Sequence, residues 1–219
     1  MSWEEISPGE STPLESLPLN VSRETKLKIE KFIDLVFTWN VRTNLTGAKS
    51  PQDFCHHLLD CQDALQVIPP FTSCLDIGSG SGLPGILWAL LLPEAKFFLV
   101  ESQKKKASFL LRAISQINLQ NVDVLSKRFE EIKDDDLNLG TDSPIIVSRG
   151  TAAPKNLWKL ILSSPIPFRH WFVFSTEALH QEFLTLGKNS DMEISFLQYK
   201  KEDLEEKNTL GILTRISPK

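Results

Sequence analysis

The chain has 219 residues and carries 24 basic against 28 acidic side chains, a net charge of −4. That sum excludes a generally basic nucleic-acid binder but leaves room for a local basic patch. The length suits one domain, with or without an appendage, and a core large enough to need no staples.

In chain order, residues 1–18 hold four Glu, three Pro and no basic residue, which reads as a loose acidic tail. Ser22 caps a predicted helix running to about Asn40, with Ile29, Phe32, Ile33, Val36 and Phe37 on one face. Ser50-Pro51-Gln52-Asp53 supplies an N-cap, Pro at the first helical position and an acid two residues on. That second helix reaches about Val67 and ends at Pro69-Pro70. Residues 19–70 are thus a helical segment expected to pack on the core of the α/β region after it. From residue 71 to 219 short apolar runs alternate with helical patterns. Predicted strands are 74–77, 96–100, 122–125, 145–148, 171–174, 193–199 and 210–216; predicted helices are 84–92, 104–117, a short 129–132, 154–162 and 177–186. Such alternation specifies an α/β fold, a mostly parallel seven-stranded sheet with helices on both faces. No helix separates the last two strands, so they form an antiparallel ending. The run Asp134–Asp136 reads as a solvated loop.

Several classes drop out. Cys55, Cys61 and Cys74 are odd in number and lack paired zinc spacing, so neither a disulfide framework nor a metal site is expected. The longest apolar run, residues 86–92, stops at Pro93, well short of a membrane span. The first residues hold no apolar signal core. A cytoplasmic monomer without metal or membrane partner is the expectation. The 13 Phe and 5 Trp against 1 Tyr read as core filling.

The sharpest signal is Leu75-Asp76-Ile77-Gly78-Ser79-Gly80-Ser81-Gly82-Leu83-Pro84-Gly85, between a strand and a helix. Glycines permit a tight turn and close approach of a ligand to backbone, at the strand ends where doubly wound sheets bind ligands. Gly80-x-Gly82-x-x-Gly85 fits a dinucleotide fingerprint; Asp76-x-Gly78-x-Gly80-x-Gly82 fits the acid-first loop of S-adenosylmethionine enzymes. The acid favours the second, because a carboxylate suits a cationic sulfonium and ammonium better than a pyrophosphate. Asp76, Gly78, Ser79, Gly80, Gly82 and Leu83 are therefore candidate cofactor residues. Glu101, 25 residues beyond Asp76 at the end of the next strand, can accept both ribose hydroxyls.

Charge is segregated: residues 96–128 sum to +5 and residues 129–142 to −5. Lys104, Lys105, Lys106 and Arg112 lie on the helix after the second strand, Arg128 follows the third and Arg149 the fourth. Three basic clusters on one rim suit phosphate contact, against the alternative of solvated helix faces. His57 and Asp60 lie three apart and share a helical face. Trp39-Asn40 and Asn44-Leu45-Thr46 stand where the first helix ends, with Asn44 either a cap or an amide in the cleft.

Together these pieces resemble the bacterial small-subunit ribosomal RNA methyltransferase G family, also called GidB. The matching segments, in order, are Trp39-Asn40, Asn44-Leu45-Thr46, His57-Leu58-Leu59-Asp60, the glycine loop, Val100-Glu101-Ser102 with Lys105, Asn121-Val122, Arg128-Phe129-Glu130 and Ser148-Arg149. The resemblance implies a Rossmann-like class I methyltransferase fold and transfer of methyl from S-adenosylmethionine to N7 of a guanosine in the 530 loop of 16S rRNA. It places cofactor contacts at Gly78, Leu83, Phe129, Glu130 and Arg149, and polar groups of the reacting end at Asn44, His57, Lys105, Arg128 and Arg149. Two departures stand out: Gly150-Thr151 where the family has Ala and a small residue, and Ser175-Thr176-Glu177 where it has a Lys-Gly turn. N7 carries a free lone pair, so the chemistry needs positioning rather than a base. The chain agrees in having no Asn-Pro-Pro-Tyr after the fourth strand and no Cys beyond residue 74. A nicotinamide-type oxidoreductase and an inactive rRNA-binding assembly protein are the alternatives.

Overall fold

The computed structural model describes residues 21–139, 143–188, 190–200 and 207–215. The acidic tail, residues 1–18, lies outside them.

Two helices open the described chain. In α1 (Arg23–Thr43) the Ser22 hydroxyl accepts the Thr25 N–H at 3.1 Å, the expected cap. Ile29, Phe32, Ile33 and Val36 are buried on one face; Phe37 is half-buried with its ring against Phe54. In α2 (Pro51–Val67) Ser50 Oγ accepts the Asp53 N–H at 3.1 Å. Asp53 answers one residue earlier than a capping box would, accepting the Lys49 N–H at 3.1 Å.

The α/β part runs β1 (Ser73–Ile77), α3 (Gly85–Leu91), β2 (Lys96–Val100), α4 (Lys104–Gln116), β3 (Val122–Leu125), a 3-10 turn Phe129–Glu131, α5 (Asp134–Leu137) and β4 (Ile145–Arg149). Then come α6 (Pro154–Leu162), β5 (His170–Ser175), α7 (Glu177–Gly187), β6 (Met192–Lys200) and β7 (Lys207–Arg215). The sheet order is β3-β2-β1-β4-β5-β7-β6. The first five strands are parallel; β7 runs antiparallel to both β5 and β6. This is the expected mostly parallel sheet with an antiparallel ending.

Helices cover both faces. Cys74, Phe97, Leu99, Val147 and Phe172 share one buried cluster with α1 to α4. Leu75, Ile77, Phe98, Val100 and Trp171 share the other with α6 and α7. The helical segment before β1 is therefore part of the sheet's own core. Trp88 of α3 locks it there, donating its indole N–H to the Cys61 carbonyl at 2.7 Å.

The run Asp134–Asp136 differs from the expected loop. It starts the single turn α5, anchored by buried Leu137 and by Lys127 Nζ on Asp136 at 2.7 Å. The strand order reverses between β1 and β4, and ligands in doubly wound sheets bind at that switch point.

Candidate active site

A cavity of about 490 Å³ opens at the carboxyl ends of β1, β2 and β4. Its floor is the glycine loop. Gly78, Gly80 and Gly82 all have positive φ (72°, 52° and 94°), a region costly for side-chain-bearing residues. At Gly78 a Cβ would also collide with Thr151. Thr151 holds the loop from the β4 side, its hydroxyl donating to the Ile77 carbonyl at 2.6 Å. Thr151 thus has a local role in shaping the loop.

Most of the loop's N–H groups are engaged internally. Gly78 and Ser79 donate to the Val100 carbonyl at 2.8 and 3.2 Å, Gly82 to Ser79 at 2.6 Å, and Ile86 to Gly82 at 2.7 Å. Gly80 N–H donates to Glu101 Oε2 at 3.1 Å and Gly85 N–H to Asp76 Oδ2 at 3.0 Å. A pyrophosphate needs free N–H groups aimed at it; this floor presents mostly engaged donors beside a carboxylate. The arrangement disfavours a dinucleotide and suits an adenosyl group carrying positive charge.

Glu101 ends β2, buried on the cavity wall, with Oε1 accepting the Gln103 N–H at 2.8 Å. Its free lone pairs can accept ribose hydroxyls. Phe129 supplies an apolar wall, fixed edge-on against Trp171. Ser79, Leu83 and Glu130 also line the cavity.

Asp76 differs from the expectation of a carboxylate facing the ligand. It is 1% exposed, sits behind the loop and is not part of the cavity wall. Its Oδ2 closes the loop onto Gly85, and its Oδ1 is buried with no hydrogen-bond partner. Burial pushes this carboxyl up to about 7, partly relieved by the Gly85 N–H. A cation in the cavity would favour its ionised form. Gly82 likewise lies behind the loop, where Ile86 and Leu110 leave no room for a Cβ.

The rim gathers His57, Arg128, Arg149 and Lys106. Arg149 leaves the end of β4 and meets α2: its Nη2 lies 2.9 Å from His57 Nδ1, and Nη2 and Nε are each 3.4 Å from Asp60 Oδ2. The shared face of His57 and Asp60 is the seat of this guanidinium. Asn44 is not on the wall. It is the left-handed C-cap of α1 at φ 49°, and turns the next residues, Leu45 to Gly47, onto the cavity. Asn40 fixes that turn, its Oδ1 accepting the Leu45 and Thr46 N–H groups at 2.6 and 3.0 Å. Lys105 lines a separate cleft with Trp39 and Arg42, while Lys104 and Arg112 are exposed along α4. Of the basic residues singled out in the sequence, Lys106, Arg128 and Arg149 line the cavity; Lys104, Lys105 and Arg112 do not.

Sequence reasoning missed Lys127 and Gly150 on the wall, and Tyr199 and Asn208 beside it. The Tyr199 hydroxyl and Asn208 amide donate to Asp60 Oδ1 at 2.7 and 2.6 Å. No local motif marks them, since only the β7–β5 pairing brings them to α2. Cys55, Cys61 and Cys74 are free and buried, and burial pushes Cys55 up to about 11 and the others higher. Among the described residues no group of three or more His, Cys, Asp or Glu could hold a metal ion, and no helix is long and apolar enough to cross a membrane.

Comparison with known proteins gives a consistent picture. The sequence pattern of a family described as rRNA small subunit methyltransferase G matches residues 25–213. A relative named ribosomal RNA small subunit methyltransferase G from Wolinella succinogenes is 37% identical over 144 residues, 65% of this chain and 70% of that protein. One of the same name from Dichelobacter nodosus is 41% identical over 117 residues, 53% of this chain and 56% of its own length. Among solved structures, cofactor-bound Rv0187 from MTB superposes with a TM-score of 0.59 at 12% identity, covering 95% of this chain and 100% of that one; it supports the fold alone.

Proposed function

The chain belongs to the rRNA small subunit methyltransferase G family, and we propose that it moves a methyl group from S-adenosylmethionine to N7 of a guanosine in the 530 loop of 16S rRNA. The observation that carries the reading is the cavity floor: a loop most of whose N–H groups are engaged, beside the Glu101 carboxylate. Residues 71–219 carry the chemistry, with 19–70 as a helical extension, in a cytoplasmic monomer acting on the small subunit.

S-adenosylmethionine supplies an electrophilic methyl on a cationic sulfonium. Glu101 accepts the ribose hydroxyls, Phe129 packs on the adenosyl group, and Gly78 and Gly80 let it approach the backbone. Asp76 acts from behind the loop through its charge. Guanine N7 is an unprotonated lone pair, so no residue needs to remove a proton. The chain's contribution is orientation, which accounts for about 7–11 kcal/mol in well-aligned reactions. Arg149, held by His57 and Asp60, is placed to donate to the acceptor edge of the base or to a phosphate; Arg128, Lys106 and the α4 cations hold the flanking backbone. N7 becomes cationic as sulfur becomes neutral, so charge is conserved across the transfer.

The test is direct. Methyl-labelled S-adenosylmethionine and small subunits lacking the modification should give label in the rRNA with the wild-type chain. Arg149→Ala should abolish it. Equal labelling by the variant would remove Arg149 from the site.

A further inference from the structure

Arg149 separates the main cavity from a smaller one of about 340 Å³, which Asp60, Phe174, Ser175, Tyr199 and Asn208 help to line. Both cavities touch its side chain, so its position decides what either can hold. Four hydrogen bonds meet on Asp60, and they are unequal. Tyr199 and Asn208 reach Oδ1 at 2.7 and 2.6 Å; Arg149 reaches Oδ2 twice at 3.4 Å. The short bonds come from the C-terminal hairpin and the long ones from the arginine. Charge-assisted bonds are ordinarily the shorter kind, so this carboxylate is held by the neutral donors and the guanidinium lies off its best pairing position.

We propose that Tyr199 and Asn208 are positioning residues: through Asp60 they keep Arg149 from closing into a tight ion pair and leave its guanidinium available between the two cavities. Without the hairpin donors, Asp60 Oδ1 would be free to turn and take Arg149 in a two-point pair, the geometry that guanidinium and carboxylate favour. Tyr199 is suited to the task. It is 5% exposed, and burial beside Asp60 holds its phenol far above the ordinary range, so it is a permanent donor. Phe174 limits where the guanidinium goes, its ring lying 5.7 Å beneath it. Ser175 and Thr176 line the small cavity with Asn208.

The inference rests on the proposed methyl transfer only for its kinetic readout. Tyr199→Phe keeps the ring and removes one donor; Asn208→Ala removes the other from a half-exposed strand position. Each should lower kcat about ten- to hundred-fold with KM for the small subunit within about threefold, since misplacement by about 1 Å costs that much in rate. In an Asp60→Asn background neither should lower it further, whereas damage to packing alone would add. Independently of any RNA, the Arg149 Nε–H resonance, assigned by its loss in Arg149→Lys, should move in both single variants of the full chain and not move further with Asp60→Asn. Unmoved resonances, or effects that add to Asp60→Asn, overturn the proposal. Moved and coupled resonances in a chain that transfers no methyl would uphold it and refute the methyl-transfer reading.

Discussion

Replacing Asp76 by Asn should stabilise the protein at pH 8 and leave it unchanged near pH 4. The folded chain holds the Asp76 proton up to about 7, while the group's ordinary value is 3.8. Between those limits the folded state binds more protons than the unfolded one, so this group makes stability fall as pH rises. The gap corresponds to about 4 kcal/mol when the carboxylate is fully ionised. Asparagine fills the same space, can accept the Gly85 N–H and carries no charge. The variant should therefore gain up to about 4 kcal/mol on the wild type above pH 7, and nothing where wild-type Asp76 is already protonated. Urea unfolding between pH 4 and 8, read as the difference between the two proteins, measures it. The same substitution should weaken S-adenosylmethionine binding at pH 8, because the ionised acid favours a cation in the cavity. Parallel stability profiles over the whole range would refute the claim that burial, not pairing, governs Asp76.

Glu101→Gln should weaken S-adenosylmethionine binding about ten- to hundred-fold by calorimetry, the worth of a charge-assisted pair of hydrogen bonds; unchanged affinity would remove Glu101 from the ribose. Lys104→Ala and Lys106→Ala should each raise KM for the small subunit and reduce the slope of log affinity on log salt by about 0.7–0.9, and a slope equal to wild type would count against phosphate contact there. Trp88→Phe removes the indole donor from the buried Cys61 carbonyl and should cost about 2 kcal/mol in urea unfolding, loosening α2 from α3.

Much of this was legible in the sequence because it is local. Ser22 and Ser50 announce their helices, since a hydroxyl before an apolar period has one efficient partner, the N–H three residues on. Strands β2 and β3 stand where their apolar runs put them. The glycine loop is readable for the same reason: spacing within eleven residues fixes a turn. What escaped was non-local. β7 inserts between β5 and β6 because a strand carrying Leu210 and Leu213 can be covered on both faces, while Glu193, Ser195 and Gln198 leave β6 with exposed positions fit for an edge. That insertion brings Asn208 and Tyr199 to Asp60, more than a hundred residues away in sequence, and no spacing rule reaches so far. Asp76 shows the other limit: its charge suggests a cationic ligand, but whether a carboxylate faces the cavity or the loop behind it is decided by the fold around it.

The net charge of −4 also reads differently with the site in view. Lys106, Arg128 and Arg149 meet at the cavity rim, where Glu130 is the one acid of residues 129–142 among the lining residues, so the sum conceals a locally cationic approach to the site. The central claim is chemical and has a direct test. N7-methylguanosine, once reduced with borohydride, becomes a site of aniline-induced strand scission. Small subunits lacking the modification, treated with this chain and S-adenosylmethionine, should show scission at the 530-loop guanosine and not without the cofactor. Intact rRNA at that guanosine after full incubation would contradict the assignment.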